Sequence, residues 1–202
     1  MKTLVRSRIL VALGVICCVA SAVAAGDRHD GALHFDFINS ESKIQFLADS
    51  TLHSFSGVAK EFTGFAEAAV ENLEATAKGR LQVTVKSLTT DHAKRDSFMM
   101  EDLAEPNYPA IVFALTGVKV VSSSPDQRTA EMELAGTLDL HGKSKLISIP
   151  VHVELRDGKL CIAGRTDLSL ADFAIVPHSF LFLKVKDKVT VEFEVVAAPR
   201  TP

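Results

Sequence analysis

The stretch that decides the fold is LISIPVHVEL, Leu146–Leu155. In this stretch His152 and Glu154 stand between apolar residues, which are Ile147, Ile149, Val151, Val153 and Leu155. Successive side chains of a β-strand point to opposite faces, so a period of two gives a strand one apolar and one polar face. This alternation is typical of antiparallel strands that cover a core on one side and meet water on the other.

The same period recurs along most of the chain. It is clear in LQVTVKSL at 81–88 and VTVEFEVV at 189–196, and weaker in six runs: HFDFI, SKIQFLA, GFAEAAV, AIVFALTGVKV, AEMELAGTLDL and KLCIAGRTDLSL. Turn residues separate the runs, above all Asp157-Gly158, which is the dipeptide of a tight hairpin, and Gly142. Eight or nine short strands predict a single all-β domain, either an antiparallel barrel or a sandwich.

One connector has a helical pattern instead. Thr90 or Asp91 can cap a helix through HAKRDSFMMEDLAE, which Pro106 ends. The spacing places Phe98, Met99 and Leu103 on one helix face, and we expect the charged residues Arg95, Asp96, Glu101 and Asp102 to turn away from it. Soft apolar side chains are therefore predicted in a polar connector between two strands.

The N-terminus has the order of a secretory signal peptide. Three basic residues, Lys2, Arg6 and Arg8, precede the apolar run at 9–20 and the small residues SAVAA. This pattern predicts cleavage after Ala24 or Ala25 and a periplasmic or secreted protein, with an uncleaved anchor as the alternative. The predicted division is a signal peptide at 1–25 and one barrel domain at 26–202.

Charge and cysteine content exclude several classes of function. Three of the positive charges in the net charge of −3 lie in residues 1–25, so the remaining chain is near −6 and carries no basic stripe for nucleic acid. Cys17 and Cys18 lie in the signal peptide, which leaves Cys161 without an internal disulfide partner. We interpret Cys161 as a small apolar filler of its strand rather than a reactive thiol.

The chain has no recognisable catalytic or metal-binding motif. It lacks a nucleophile elbow, a phosphate loop and a dinucleotide fingerprint. No two histidines have the spacing that would place them on one metal; they are His29, His34, His53, His92, His141, His152 and His178. We therefore predict no catalytic residues, no metal ligands and no enzymatic activity. Arg95 and Asp96 are expected to form a local ion pair or to bond to neighbouring backbone where the connector meets the barrel.

The chain resembles the YceI-like family, a periplasmic polyisoprenoid- or lipid-binding family, over essentially its whole length after residue 25. Six segments carry the resemblance in order: STLHSFSGVAKEFTGFAEA at 50–68, VTVKSLTTDHAKRDSFMMEDL at 83–103, YPAIVF at 108–113, GTLDLHGKSKLISIPV at 136–151, LSLADFAI at 168–175 and VKDKVTVEFEVV at 185–196. The chain departs from the family pattern at Ala174, where glycine is common.

The resemblance implies an antiparallel, eight-stranded, lipocalin-like β-barrel with a short helical connector beside its mouth. A barrel of this size is wide enough to hold a small ligand, and phenylalanine and methionine make an adaptable lining. Nine residues are predicted to contact such a ligand: Phe46, Phe55, Phe65, Phe98, Met99, Leu103, Ile111, Phe113 and Leu115.

Our leading hypothesis is an exported, non-enzymatic binding protein that holds a polyisoprenoid, an isoprenoid quinone or a lipid for transport, storage or sequestration. We expect no cofactor other than this bound isoprenoid or lipid. Transient contact with a membrane and assembly into a homodimer are both compatible with the sequence. A barrel filled by its own side chains, acting as a structural or interaction module, is the alternative. An enzyme would need polar groups such as Arg95 or His53 to converge in the lumen.

Overall fold

A computed structural model describes residues 32–69, 72–126, 128–180 and 183–200. The chain is built almost entirely of β-strands: β1 Ala32–Phe37, β2 Lys43–Ser50, β3 Ser54–Ala59, β4 Phe62–Ala69, β5 Lys78–Thr84, β6 Leu88–Thr89, β7 Ala110–Ser123, β8 Thr129–Leu140, β9 Lys143–Arg156, β10 Lys159–Ser169, β11 Ser179–Phe180 and β12 Leu183–Pro199. Two α-helices interrupt them, α1 Leu73–Thr76 and α2 Ala93–Asp102. The predicted signal peptide, residues 1–25, lies outside the described residues.

Eight strands close into a ring. Their hydrogen-bonded order is β1-β4-β5-β7-β8-β9-β10-β12, and β12 pairs with β1 to seal the barrel. Every pairing is antiparallel, and closure leaves no free edge along the ring. The predicted all-β fold, an eight-stranded antiparallel barrel with a short helical connector, is confirmed.

Three positions of the ring are occupied by strands broken into two pieces. β2, β3 and β6 continue β1, β4 and β5 towards the end of the barrel that carries α2, here called the α2 end. Asn39 links the break between β1 and β2 to the break between β3 and β4. Its side-chain amide donates to the Lys60 carbonyl at 2.9 Å, and its side-chain carbonyl accepts from the Phe62 amide at 3.0 Å. The broken strands thus lengthen this side of the barrel, and the extension ends at β6, which pairs only with β3 among the described strands.

The tight hairpins form at the predicted dipeptides. Asp157 and Gly158 have φ of 52° and 77°, and the strand register passes directly from Arg156 to Lys159. His141 and Gly142, with φ of 50° and 69°, turn β8 into β9 in the same way. Positive φ at both central residues gives the twist that two-residue hairpins need.

Helix α2 lies between β6 and β7 at the α2 end. Its N-cap is His92, whose ring nitrogen accepts from the Arg95 amide at 3.3 Å, so the predicted caps Thr90 and Asp91 are wrong. Asp91 instead takes φ of 56° in the turn before the helix. The helix ends at Asp102, four residues before Pro106, as the chain enters a left-handed turn.

That turn is a Schellman motif. The Ala104 amide donates to the Glu101 carbonyl at 2.9 Å, and the Glu105 amide donates to the Met100 carbonyl at 3.0 Å. Ala104 has φ of 47°, a conformation that glycine adopts more readily than alanine. A further turn follows, in which the Asn107 and Tyr108 amides donate to the Ala104 carbonyl, and the chain then enters β7 through Pro109.

The best-packed parts of the interior lie against the walls and at the ends of the barrel. One cluster at the α2 end joins Phe173 and Ile175, from the β10–β12 connection, to Leu138 and Leu140 of β8. Cys161 is buried on β10, and burial raises the pKa of its thiol above the ordinary value, as suits the predicted filler. The middle of the barrel, in contrast, is not filled by side chains.

Candidate binding cavity

The barrel encloses a cavity of about 800 Å³. Its walls are the inward faces of the ring strands, and most of the side chains on them are aliphatic or aromatic. Ligand sites in proteins commonly have volumes of about 300–1,000 Å³ and a mainly apolar lining. Many of these inward side chains are only half-buried because they border open space instead of each other.

Four glycines make room for aromatic rings along the wall. Phe46, Phe37, Phe113 and Phe193 lie over Gly57, Gly64, Gly136 and Gly164, where a Cβ atom would come within 2.2, 2.5, 2.4 and 2.6 Å of the ring. Because glycine has no side chain, each ring occupies the space above the strand that the Cβ atom of any other residue at the glycine position would fill. Phenylalanine in a strand is large, yet these rings lie against the sheet and leave the lumen open.

All nine residues predicted to contact a ligand border this one cavity. Phe46 and Phe55 come from the β2–β3 hairpin, and Phe98, Met99 and Leu103 come from α2 and the residue after it. The other four lie on β4 and β7: Phe65, Ile111, Phe113 and Leu115. The structure brings these residues together; that they hold a ligand stays a prediction.

Phe65 differs from the other eight in where its ring packs. The ring stacks on the imidazole of His34, with 5.2 Å between ring centroids and 12° between planes. His34 and Asp36 alternate along β1 with residues that line the lumen, and Asp36 pairs with Arg200. The Phe65 ring thus packs against a polar residue of β1, although Phe65 borders the cavity; that it contacts a ligand stays a prediction.

Most of the residues on the opposite wall of the cavity were not among the nine predicted residues. Strands β8, β9, β10 and β12 contribute apolar residues that the candidate set did not include, such as Leu134, Leu138, Ile149, Ile162, Val191 and Phe193. All of them occupy the apolar positions of the period-two pattern. The pattern alone could have found them, because every second residue of a closed barrel points inward.

Polar residues border the cavity mainly at the α2 end. Those at the α2 end come from the β2–β3 turn, the first and last turns of α2 and the β10–β12 connection, and they are His53, His92, Lys94, Arg95, Asp102 and His178. Glu67, Lys78 and Arg80 of β4 and β5 also border the cavity. The expectation that Arg95 and Asp102 turn away from the apolar face of α2 is wrong. Both lie three or four positions from Phe98 and Met99, so the helix places them on the same face, which borders the cavity.

Arg95 is held in place by Thr90 and Phe55. Its Nε donates to the Thr90 hydroxyl at 2.7 Å, one terminal nitrogen donates to the Thr90 carbonyl at 3.1 Å, and its guanidinium carbon lies 4.6 Å from the Phe55 ring centroid. Asp96 accepts from the Thr89 and Thr90 hydroxyls and the Thr90 amide. Burial acts to raise the pKa of Asp96, but these hydrogen bonds outweigh it and hold the pKa below the ordinary value. The expected bonding of Arg95 and Asp96 to neighbouring backbone is confirmed, since each side chain bonds to a backbone group of Thr90; the described structure has no direct ion pair between them.

His178 ties the β10–β12 connection to α2. Its backbone amide donates to both Asp102 carboxylate oxygens at 3.1 and 3.0 Å, and its imidazole hydrogen-bonds to the same carboxylate. The imidazole also stacks on Phe98 at 5.2 Å and lies 3.4 Å from a Glu101 oxygen. The hydrogen bond and negative charge of Asp102 raise the pKa of His178 above its ordinary value.

The described residues contain no cluster of three or more histidine, cysteine or acidic side chains suited to a metal ion. No helix in the described part of the chain has the length and apolar character needed to cross a bilayer. The residues that border the cavity offer apolar contact along its walls, together with charged and hydrogen-bonding groups at the α2 end and on β4 and β5.

Fold and cavity together define a class: small antiparallel barrels with an apolar lumen and a helix across the mouth. Within that class the chain belongs to the YceI-like domain family, whose pattern matches residues 35–197. The resemblance noted in the sequence is thereby confirmed. No curated protein sequence matches the chain.

Solved structures show the same fold at low sequence identity. BcnA of Burkholderia cenocepacia is similar with a TM-score of 0.67 and 16% identity, over 80% of this chain and 99% of that one. A polyisoprenoid binding domain from Saccharophagus degradans, implicated in plant cell wall breakdown, has a TM-score of 0.63 and 13% identity, over 83% and 99%. The YceI protein of Campylobacter jejuni has a TM-score of 0.54 and 19% identity, over 72% and 85%.

Proposed function

We propose that this protein is an exported, non-enzymatic carrier that holds a long apolar or amphiphilic molecule in its barrel. The ligand class is a polyisoprenoid, an isoprenoid quinone or a lipid, held for transport, storage or sequestration. The observation that carries the proposal is the apolar cavity of about 800 Å³. The membership in the YceI-like family and the similarity to a polyisoprenoid binding domain support the same ligand class.

The physical driving force is the removal of apolar surface from water. Each methylene that enters the lumen contributes about 0.8 kcal/mol, so a chain of some twenty carbons has a gross gain above 10 kcal/mol. Loss of chain freedom offsets much of this gain, and non-covalent affinity has a ceiling near about −20 kcal/mol. A matching chain is therefore expected to bind, with an affinity that depends on how completely it fills the lumen.

Export and membrane exchange belong to the same proposal. The pattern of residues 1–25 favours a periplasmic or secreted location with cleavage near Ala24 or Ala25. A carrier must take its ligand from a membrane or a partner, and Leu52 and Val176, on connections at the α2 end, are strongly exposed apolar side chains. Nucleic acid is not an expected partner, since the chain is acidic.

The test begins with protein purified without detergent. Native mass spectrometry should detect a bound mass, and organic extraction should release one molecule of lipid or isoprenoid per chain. A variant that fills the lumen, Leu134→Trp, should lower that occupancy, because Leu134 borders the cavity. Leu146→Trp is the matched control, since Leu146 is 81% exposed on the outer face. An empty wild-type barrel that also takes up no added chain would refute the proposal.

A further inference from the structure

The charged groups at the α2 end are unequally satisfied within the described residues. Asp102 accepts from the backbone and the imidazole of His178, and Asp96 accepts from Thr89 and Thr90. Arg95 has no direct ion pair among the described residues: its hydrogen bonds go to the hydroxyl and carbonyl of Thr90, and its charge acts on the Asp96 carboxylate, which accepts from the same hydroxyl. One guanidinium at the mouth of an apolar cavity therefore lacks a direct ion-pair partner among the described residues.

Arg95 has a fixed position as well as no direct ion pair within the described residues. Two of its three nitrogens are bonded to Thr90, and the plane of the guanidinium lies near the Phe55 ring. A guanidinium has five N–H donors, so donors remain on the nitrogens that Thr90 does not fully use. A pre-positioned guanidinium loses little freedom when it binds an anion, which is why arginine is favoured for carboxylate and phosphate groups.

Arg95 also stands where its charge costs the helix stability. It lies in the first turn of α2, at the positive end of the helix dipole, and the only acidic residue of that turn is Asp96. A basic residue there destabilises a helix by a modest amount. A cation kept at an unfavourable position and aimed at a cavity is consistent with a role in binding.

We propose that Arg95 forms a head-group site at the mouth, where it binds the oxyanion, a carboxylate or a phosphate, of an amphiphile whose chain lies in the lumen. This inference rests on the proposed carrier function and narrows its ligand class from apolar molecules in general to acidic amphiphiles. Phe55 supplies the apolar surface under the guanidinium, and His53 and His92 border the same end of the cavity. The walls beyond them take the chain.

The experiment compares charged and neutral probes with the same chain. Delipidated protein is titrated at neutral pH with palmitic acid and its methyl ester, and separately with farnesyl phosphate and farnesol, by displacement of a fluorescent apolar probe. A hydrogen-bonded charge at this site should make each acid bind about ten- to a hundredfold more tightly than its neutral partner. The pair with the larger ratio identifies the head group as carboxylate or phosphate.

Variants assign the preference to Arg95. Arg95→Gln should bring both ratios close to one while the affinity for the methyl ester and farnesol stays unchanged. Arg128→Gln, the same change in the exposed β7–β8 loop at the other end of the barrel, should keep the wild-type ratios. If Arg95→Gln does not fold, Arg95→Lys provides the test, with a reduced ratio because a point charge lacks the forked geometry.

The two proposals fail in different ways. Equal binding of the acid and its neutral partner by the wild type, or an acid preference that survives in Arg95→Gln, overturns the head-group site and leaves the carrier function standing. Failure of every probe to bind, charged or neutral, overturns the carrier function and the head-group site with it.

Discussion

The imidazole of His178 hydrogen-bonds to the carboxylate of Asp102, 76 positions away in the chain. This contact joins the connection that follows β10 to the last turn of α2, and both segments border the mouth of the cavity. The backbone amide of His178 donates to the same carboxylate. The bond from the imidazole therefore depends on the protonation of His178, whereas the bonds from the amide do not. The contact acts as a latch between the two segments that frame the mouth.

The latch should make stability depend on pH. The raised pKa of His178 means that the folded protein holds the imidazole proton more tightly than the unfolded chain. The stabilisation is therefore fully present below the unfolded histidine pKa of about 6.5, and is lost as pH rises through the higher folded value. We expect the melting temperature of wild type to exceed that of His178→Gln by a margin that shrinks across this interval.

A matched variant separates the latch from general histidine effects. His152 binds a single carboxylate, Glu131, at 2.7 Å on the exposed outer face of the barrel. His152→Gln should lower the melting temperature less than His178→Gln does at acidic pH. A margin for His178→Gln that stays constant, or grows, from pH values near 6 to values near 8 would contradict the latch.

Gly57 should be required for an open lumen. A Cβ atom at this position would lie 2.2 Å from the Phe46 ring and 2.7 Å from the Thr89 carbonyl oxygen, so the ring must swing away from the wall. We expect Gly57→Ala to lower stability by about 1–3 kcal/mol in urea unfolding and to weaken binding of a fluorescent apolar probe. Gly117→Ala is the control, because its new Cβ would meet no atom within 4 Å. Identical behaviour of the two variants would show that the ring does not depend on Gly57.

Two phenylalanines distinguish an open lumen from a solid core. Phe173 is 2% exposed inside the cluster at the α2 end, so Phe173→Ala should cost about 3–5 kcal/mol. Phe113 borders the cavity and already has one open side, so Phe113→Ala should cost clearly less, about 1–2 kcal/mol. Urea unfolding of both variants measures the difference. Equal losses would favour the barrel filled by its own side chains.

The barrel was predictable because its signal is local and repeated. Alternation in β9 identifies which side of each strand is apolar, and the Asp157-Gly158 turn fixes a hairpin without knowledge of the rest of the chain. The candidate site followed from the same rule, since Ile111, Phe113 and Leu115 share one face of β7. Closure into a ring, by contrast, was implied by the family resemblance, because period two alone fits a sandwich as well.

The errors arise where a contact joins distant segments. The stacking of Phe65 on His34 also depends on distant segments, because the pairing of β1 with β4 brings the two rings together. Arg95 and Asp102 are charged, so the sequence pattern predicts them on the solvent-facing side of the helix. The position of α2 across the mouth of the cavity has no local sequence signal. His178 carries no sequence signal at all, because its partner Asp102 lies 76 positions earlier.

Ala174 stands at a position where the family commonly has glycine. Ala174 has φ of 55° after the short turn Ala171–Phe173, a left-handed conformation that is strained for alanine and natural for glycine. Ala174→Gly should therefore raise the free energy of unfolding by up to about 1 kcal/mol, the strain relieved less the entropy that glycine adds to the unfolded chain. Ala114→Gly in strand β7, where the backbone is extended, should lower it by about 0.5–1 kcal/mol. Because the two substitutions remove the same methyl group, opposite signs in urea unfolding would attribute the difference to the backbone conformation, whereas a loss at both sites would show that the left-handed turn carries no strain.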